Sequence, residues 1–288
     1  MNAGDKALAA ATRRVVATAL AEDVAGGDWT TRWTVPAAAR AVAEIRAKAP
    51  GIIAGLDVAA AVFQQLDRAV EFSPAVADGA AVAPGDLVAT VSGPARAILT
   101  GERTALNLLQ RLSGVATMTR RYVDAVAGTG VRILDTRKTT PGLRLLEKAA
   151  VRAGGGANHR TGLFDMILLK ENHIAAAGGI TAALRLVAQA NQTGLPVEVE
   201  VRNLDELREA IAAGADRILL DNMSLDAMRE AVAIARSGPG PAPLLEASGN
   251  MTLERVRDVA ATGVDFISVG ALTHSAPALD LSLLLRTP

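Results

Sequence analysis

The chain has no cysteine, which closes several routes at once: a disulfide scaffold, a thiolate zinc site and a cysteine nucleophile are all excluded. Any metal must be held by oxygen or imidazole ligands. Aromatics are nearly as scarce, with 2 Trp, 1 Tyr and 4 Phe in 288 residues, so there are few platforms on which bases could stack. An excess of one charge is missing too. The 30 basic side chains balance 30 acidic ones, which removes the broad positive field of a nucleic-acid-binding protein. No window holds the roughly 18 consecutive apolar residues needed to span a bilayer. Arg13 and Arg14 interrupt the N-terminal stretch where a secretory signal needs its apolar core. These absences predict a cytoplasmic protein that engages neither nucleic acid nor membrane.

What is present is a globular composition, 50% hydrophobic and 21% charged, on a chain roughly twice the length of a domain of about 150 residues. Two rhythms divide it. The first hundred residues carry a helix over about 6–22, an alternating stretch Ala41–Ala49, helical spacing at 56–69, and then short Val-rich runs between Gly/Pro turns. A small α+β domain is expected there. From Gly101 a helical pattern runs to about Val126, after which one phrase repeats: a short apolar run, a polar residue at its end, then a helix. The runs are VRILDT (131–136), DMILLK (165–170), VEVEV (197–201), RILLD (217–221), LLEAS (244–248) and FISVG (266–270), with helical stretches near 142–153, 179–192, 204–213, 225–236 and 252–262.

Such βα units make a parallel sheet buried on both faces. The fold class expected is α/β, a TIM-like barrel with fewer than eight strands (about six βα units) plus the smaller N-terminal α+β domain. A doubly wound open sheet is the alternative, but no G-x-G-x-x-G follows the first strand. The expected domains are 1–112 and a barrel over 113–274, with the tail 275–288 packing back on the first.

In a parallel barrel the working residues sit at the C-terminal ends of the strands. Those ends read Asp135-Thr136-Arg137-Lys138, Lys170-Glu171-Asn172-His173, Glu198 and Glu200, Asp221-Asn222, Glu246 with Ser248-Gly249-Asn250, and Gly270-Ala271. The charges are sorted. Between Val131 and His173 there are eight basic side chains against four acidic ones, and His159 and His173 besides. Glu200, Asp221 and Glu246 are expected on the same rim. A mouth that is cationic on one side and acidic on the other suits an anionic substrate beside a phosphorylated one that carries a divalent cation.

Each feature also has an ordinary reading. Arg137-Lys138 can be a solvated loop, GGGANHR (154–160) a linker, and SGN (248–250) and VGALTHS (269–275) plain βα turns. Lys170 can be a Schiff-base lysine or an ion-pair partner. Alternation puts Glu198 and Glu200 on one side, where both can face the interior and pair with Arg or Lys. The last two strand ends are the more specific signal, because late βα loops of such barrels commonly bind phosphate through backbone N–H groups. The histidines lack metal-ligand spacing.

Taken together, GERTALNLLQRLSGVAT (101–117), ILDTRKTTPGLRLLEKAAVRAGGGANHRTGLFDMILLKENHI (133–174), VEVEV, LLDNMS (219–224), EASGN (246–250) and VGALTHS resemble the quinolinate phosphoribosyltransferases. The resemblance implies that quinolinate and phosphoribosyl pyrophosphate give nicotinate mononucleotide, pyrophosphate and carbon dioxide, with Mg²⁺, in NAD biosynthesis. It implies a pocket for quinolinate made by Thr136, Arg137, His159, Arg160 and Lys170, with Lys138 close by. Arg103 would come from the other subunit of a homodimer, and a hexamer is also open. Glu200 and Asp221 would hold the ribose hydroxyls and the metal with its pyrophosphate. Ser248, Gly249, Asn250, Gly270, Ala271 and His274 would bind the 5′-phosphate. By the same resemblance Lys138, Lys170, Glu200 and Asp221 carry the catalysis. Rival readings are a paralogue acting on another acid, a Schiff-base aldolase using Lys170, and a phosphometabolite-binding protein without catalysis.

Overall fold

The computed structural model describes residues 3–238 and 240–286. The chain begins with α1 (Ala3–Val24) and α2 (Trp29–Thr34), the latter capped by Asp28, whose carboxylate accepts from Thr31 N at 2.9 Å. Then come β1 (Arg40–Ala47), β2 (Gly51–Ile52), α3 (Leu56–Leu66), β3 (Glu71–Pro74), β4 (Ala81–Val82) and β5 (Leu87–Pro94). The long helix α4 (Ala95–Ala125) starts six residues before the expected Gly101, because Ile98 is already core and the Gly93-Pro94 pair ends the strand. The βα series follows as β6 (Arg132–Leu134), α5 (Arg144–Ala153), β7 (Ile167–Leu169), α6 (Glu171–Ala177), α7 (Ile180–Ala190), β8 (Val197–Val201), α8 (Leu204–Ala212), β9 (Arg217–Asp221), α9 (Leu225–Arg236), β10 (Leu244–Ser248), α10 (Val256–Ala260) and β11 (Phe266–Ser268). The chain closes with α11 (Ala271–His274) and β12 (Leu281–Leu285).

By their contacts these elements group into two compact units. The first comprises residues 1–120, 139–155 and 272–288, and the second 121–138 and 156–271. In the first unit an antiparallel sheet runs in the order β12-β1-β5-β3, so the last strand of the chain pairs with the first, Leu283 opposite Ile45. Alternation sets its inner face: Ala43, Ile45 and Ala47 of β1, with Leu281 and Leu283 of β12, are buried. Helix α5, which the sequence reading assigns to the barrel, counts with this unit. So do α3, with buried Val62 and Phe63, and most of α4.

The second unit is a six-stranded parallel sheet in the order β6-β11-β10-β9-β8-β7. The first and last strands of the series pair, Ile133 beside Ile267, so the sheet curls into a ring rather than opening as a doubly wound layer. Among the described residues no ladder joins β6 to β7. That seam carries instead a single bridge between Leu134 and Ala157. The fold is therefore an α/β barrel of six strands with one unzipped edge, accompanied by the antiparallel first unit. A further correction concerns the helices. The turn after β7 forms α6, which the sequence reading passes over, and its αL residue Gly178 with the adjacent Gly179 separates it from α7.

Candidate active site

At the C-terminal ends of the barrel strands lies a cavity of about 340 Å³, lined entirely by the second unit. The strand after-loops explain its charge. After β6 the chain leaves the sheet with Asp135 fully buried and Thr136, Arg137 and Lys138 facing the cavity. The Lys138 backbone N–H donates to Thr136 Oγ1 at 3.0 Å, a tight turn from which both cations line the cavity.

The seam supplies the next pair. Asp135 accepts from His159 N (2.8 Å) and from Asn158 Nδ2 (2.6 Å), which pins segment 156–160 along the unzipped edge and delivers His159 and Arg160 to the cavity. The GGGANHR segment is thus a built element of the site, not a linker. Arg160 Nη1 reaches Met166 O at 3.3 Å, and burial followed by the neighbouring Arg137 charge pulls its pKa below the ordinary guanidinium value. Two guanidiniums held that close call for an anion with more than one negative group.

Lys170 leaves β7 as the N-cap of α6, and its ammonium meets Glu200 Oε2 at 2.7 Å. Glu200 ends the inward-facing run of β8, and Asp221 ends the adjacent β9. The loops after β9 and β10 interlock. Asn222 and Asn250 both adopt left-handed backbone, with φ of 54° and 47°, and Asn250 Nδ2 donates to Asn222 Oδ1 at 3.2 Å. Between them Gly249 has φ 94° and leaves no room for a side chain: a Cβ there would lie 2.1 Å from Asn222 Oδ1.

Of the residues singled out from sequence, Thr136, Arg137, Lys138, His159, Arg160, Lys170, Asp221, Ser248, Gly249 and Asn250 all line this one cavity. Glu200 reaches it through Lys170. Gly270 and Ala271 follow β11 on the same unit but are not among the lining residues, while Arg103 on α4 and His274 belong to the first unit. One expectation is corrected. Glu246 is not on the rim: it is the third residue of β10, fully buried, and forms the floor with Ser268. Leu168, Leu219, Asn222 and Ser268 also line the cavity and were not singled out as ligand-binding residues from sequence. The two leucines lie in apolar runs that read as core, and only strand register shows that they face inward.

Beneath the cavity, Glu198 and Glu246 share Arg217. Its Nε donates to Glu198 Oε1 at 2.9 Å and its Nη2 to Glu246 Oε2, while His159 Nε2 lies 2.9 Å from Glu198 Oε2 and 3.5 Å from Glu246 Oε1. Burial raises Glu246, and the Glu198 charge raises it further. Burial also pushes Glu198 upward but is outweighed by His159 and Arg217, which hold it below its ordinary value. His159, Glu198 and Glu246 are the group among the described residues whose ligand atoms lie close enough to share a metal ion, and Arg217 is ion-paired with both carboxylates of that group.

A six-stranded barrel whose mouth gathers guanidiniums, an ammonium, strand-end carboxylates and small-residue loops defines a class of protein with a site for small anions at the strand ends. Comparison narrows the class: residues 28–113 match the N-terminal domain and residues 115–284 the C-terminal domain of quinolinate phosphoribosyl transferase, and the chain belongs to that family. It is 50% identical over 264 residues to the probable nicotinate-nucleotide pyrophosphorylase [carboxylating] of Synechocystis sp., covering 92% of this chain and 89% of that one. It is 46% identical over 276 residues to the nicotinate-nucleotide pyrophosphorylase [carboxylating] of Mycobacterium leprae, covering 95% and 96%. The solved nicotinate-nucleotide pyrophosphorylase of Francisella tularensis superposes with a TM-score of 0.91 at 43% identity, covering 99% of this chain and 98% of that one.

Proposed function

We propose that the protein transfers the phosphoribosyl group of phosphoribosyl pyrophosphate to quinolinate with decarboxylation, giving nicotinate mononucleotide, pyrophosphate and carbon dioxide. The observation that carries this reading is the convergence of Arg137, Lys138, Arg160 and Lys170 on one cavity that Asp221 also lines. The names of its close relatives support it.

The chemistry follows from charge. Quinolinate is a flat dicarboxylate. Its two adjacent carboxylates match the Arg137–Arg160 pair, whose planar forks bind bidentately, and Lys138 and Lys170 add point charges. Leu168 and Leu219 offer the ring an apolar wall. Thr136 supplies a hydroxyl, and His159 lies beneath. Asp221 and Glu200 bind the ribose hydroxyls, and Ser248, Gly249, Asn250, Gly270, Ala271 and His274 take the 5′-phosphate. Lys138, Lys170, Glu200 and Asp221 do the catalytic work by holding the ring nitrogen against the ribose C1 as that carbon gains positive character. Nitrogen attack displaces pyrophosphate; the 2-carboxylate then departs as carbon dioxide, the pyridinium charge stabilises the carbanion left at C2, and a proton taken up from water at that carbon gives nicotinate mononucleotide.

A divalent ion fits this mouth. Glu200 and Asp221 are oxygen donors on adjacent strands, and Mg²⁺ is typically held by one or two carboxylates together with substrate phosphates. When bound, Mg²⁺ supplies positive charge to the departing pyrophosphate. Glu200, which is paired with Lys170 at 2.7 Å, and Asp221 would be the residues that hold it.

The active unit is a homodimer in this reading, with Arg103 of one copy completing the cavity of the other; hexamers are the larger alternative. The exposed Leu163, Phe164 and Trp33, each more than 70% accessible, support burial against another subunit. No helix among the described residues is long and apolar enough to cross a membrane; a cytoplasmic location is part of this reading.

The test is absorbance-monitored formation of nicotinate mononucleotide from the two substrates, with and without Mg²⁺. Absence of product from well-folded protein refutes the proposal, and ligand binding without turnover would favour a binding protein. The aldolase alternative needs a neutral amine at Lys170, whereas its Nζ is ion-paired with Glu200. Borohydride in the presence of a carbonyl compound is accordingly expected to trap nothing on Lys170.

A further inference from the structure

Barrels of this kind fill their interior with branched apolar side chains. Here one interior layer is ionic: Glu198 and Glu246 are fully buried, and Arg217 is 19% exposed at the start of β9. Register explains the meeting, since Val199 pairs with Ile218 and so brings Glu198 beside Arg217, while Glu246 lies level with Leu219 on the next strand. The guanidinium is fixed from a further direction by the Phe266 ring, 4.6 Å below it, and Glu246 also accepts from Ser268 Oγ. A buried cluster of this kind is costly to desolvate and gives little stability over an apolar filling, so its retention asks for a use.

Its upper end is His159. Nε2 faces Glu198, and Nδ1 accepts from the Arg160 backbone N–H at 2.7 Å. A nitrogen that accepts cannot also carry a proton. The ring proton is therefore on Nε2, donated down to Glu198, and His159 presents no Nδ1–H to a substrate. With Asp135 holding its backbone N–H, the residue is anchored at three points, and the Arg160 backbone is anchored on the ring.

We propose that Glu198, Arg217 and Glu246 are positioning residues for the aromatic dicarboxylate: they lock His159 in one tautomer and orientation, and through it set Arg160 beside Arg137. His159 then serves as the joint between the barrel interior and the carboxylate-binding guanidiniums rather than as a cation in its own right. This rests on the reaction proposed above. It assigns the network to one substrate only, because the loops after β9 and β10 are held by their own Asn222–Asn250 contact.

The chain has three histidines, so long-range ¹H–¹⁵N correlation of the rings resolves His159 in the unmodified protein. The expected signature at neutral pH is the Nε2–H tautomer, and an Nδ1–H or doubly protonated ring overturns the proposal. Glu198→Gln and Arg217→Met are expected to raise the KM for quinolinate roughly 10- to 100-fold. Their KM for phosphoribosyl pyrophosphate should stay within about twofold. Glu198→Gln, which can still accept from Nε2–H, should be milder than Glu198→Ala. Equal losses for both substrates, or an unchanged KM for quinolinate, overturn the proposal. Should Glu198→Ala fail to fold, the tautomer and the two other variants still decide. An unmodified protein that makes no nicotinate mononucleotide would instead refute the reaction, whichever tautomer its His159 shows.

Discussion

At Gly249 a missing side chain matters as much as the charges around it. The backbone there is left-handed and a Cβ would collide with the Asn222 amide, which also donates to Asp221 at 3.0 Å. Gly249→Ala combines an unfavourable φ with a steric clash, each of which costs about 1–3 kcal/mol. Thermal denaturation should show the loss, and the KM for phosphoribosyl pyrophosphate should rise as Asp221 loses its neighbour's support. Lys138→Ala and Arg160→Ala make the opposite case: both side chains end in the cavity, so folding is expected intact. Their kcat/KM for quinolinate should fall by roughly 100-fold or more, and normal turnover by either variant would show that the carboxylate pocket is misplaced. Charged strand ends such as Lys170 and Asp221 were legible in the sequence because the C-terminal-end rule singles them out. Asn222 was named there without a role and Ser268 was not named, because a short polar residue at a strand end looks the same whether it caps a turn or lines a cavity. Glu246 misled for a related reason: it lies two residues short of the strand end, and that depth turns a rim carboxylate into a floor carboxylate.

Among elements, the seam between β6 and β7 had no sequence signature. Six apolar runs at regular spacing predict a closed or nearly closed ring, but which pair of strands stays unzipped depends on whether Ala157 bridges Leu134, and periodicity does not report a single bridge. The α6 helix was equally hidden, since a seven-residue helix between a strand and two glycines is too short to show a 3.6-residue period. The loop after the seam makes a prediction of its own. Asp165 accepts from Thr161 N at 2.7 Å and Gly162 N at 3.0 Å; burial raises its pKa, but these backbone donors outweigh it and leave the carboxyl below its ordinary value. A depressed carboxyl stabilises the fold above the unfolded pKa of about 4, and that contribution is lost as pH falls through the lower, folded value. Asp165→Asn should therefore speed hydrogen exchange at Thr161 and Gly162 at neutral pH, and the difference from the parent protein should shrink in acid. On the other unit, Leu283 of β12 is 6% exposed. Leu283→Ala should destabilise that sheet by about 2–5 kcal/mol, measured as a shift in urea midpoint.

For the molecule as a whole, 30 positive and 30 negative charges conceal a segregated mouth, so a neutral total is compatible with a site for small polyanions. The same scale decides whether one copy suffices. Arg103 is exposed on α4 of the first unit, whereas the cavity is lined by the second unit alone, and the homodimer reading has Arg103 complete the cavity of a neighbouring copy. That sharing is testable by mixing two inactive variants. Arg103→Ala removes the lent side chain, and Lys170→Ala removes a resident one. In a heterodimer of the two, one cavity receives both defects and the other receives neither. Random exchange of equal amounts makes about half the dimers mixed, each with one intact cavity of two, so activity should recover to roughly a quarter of the parent level. Native mass spectrometry of the mixture verifies that subunits exchanged. Verified heterodimers that remain inactive would show that each chain builds its site alone.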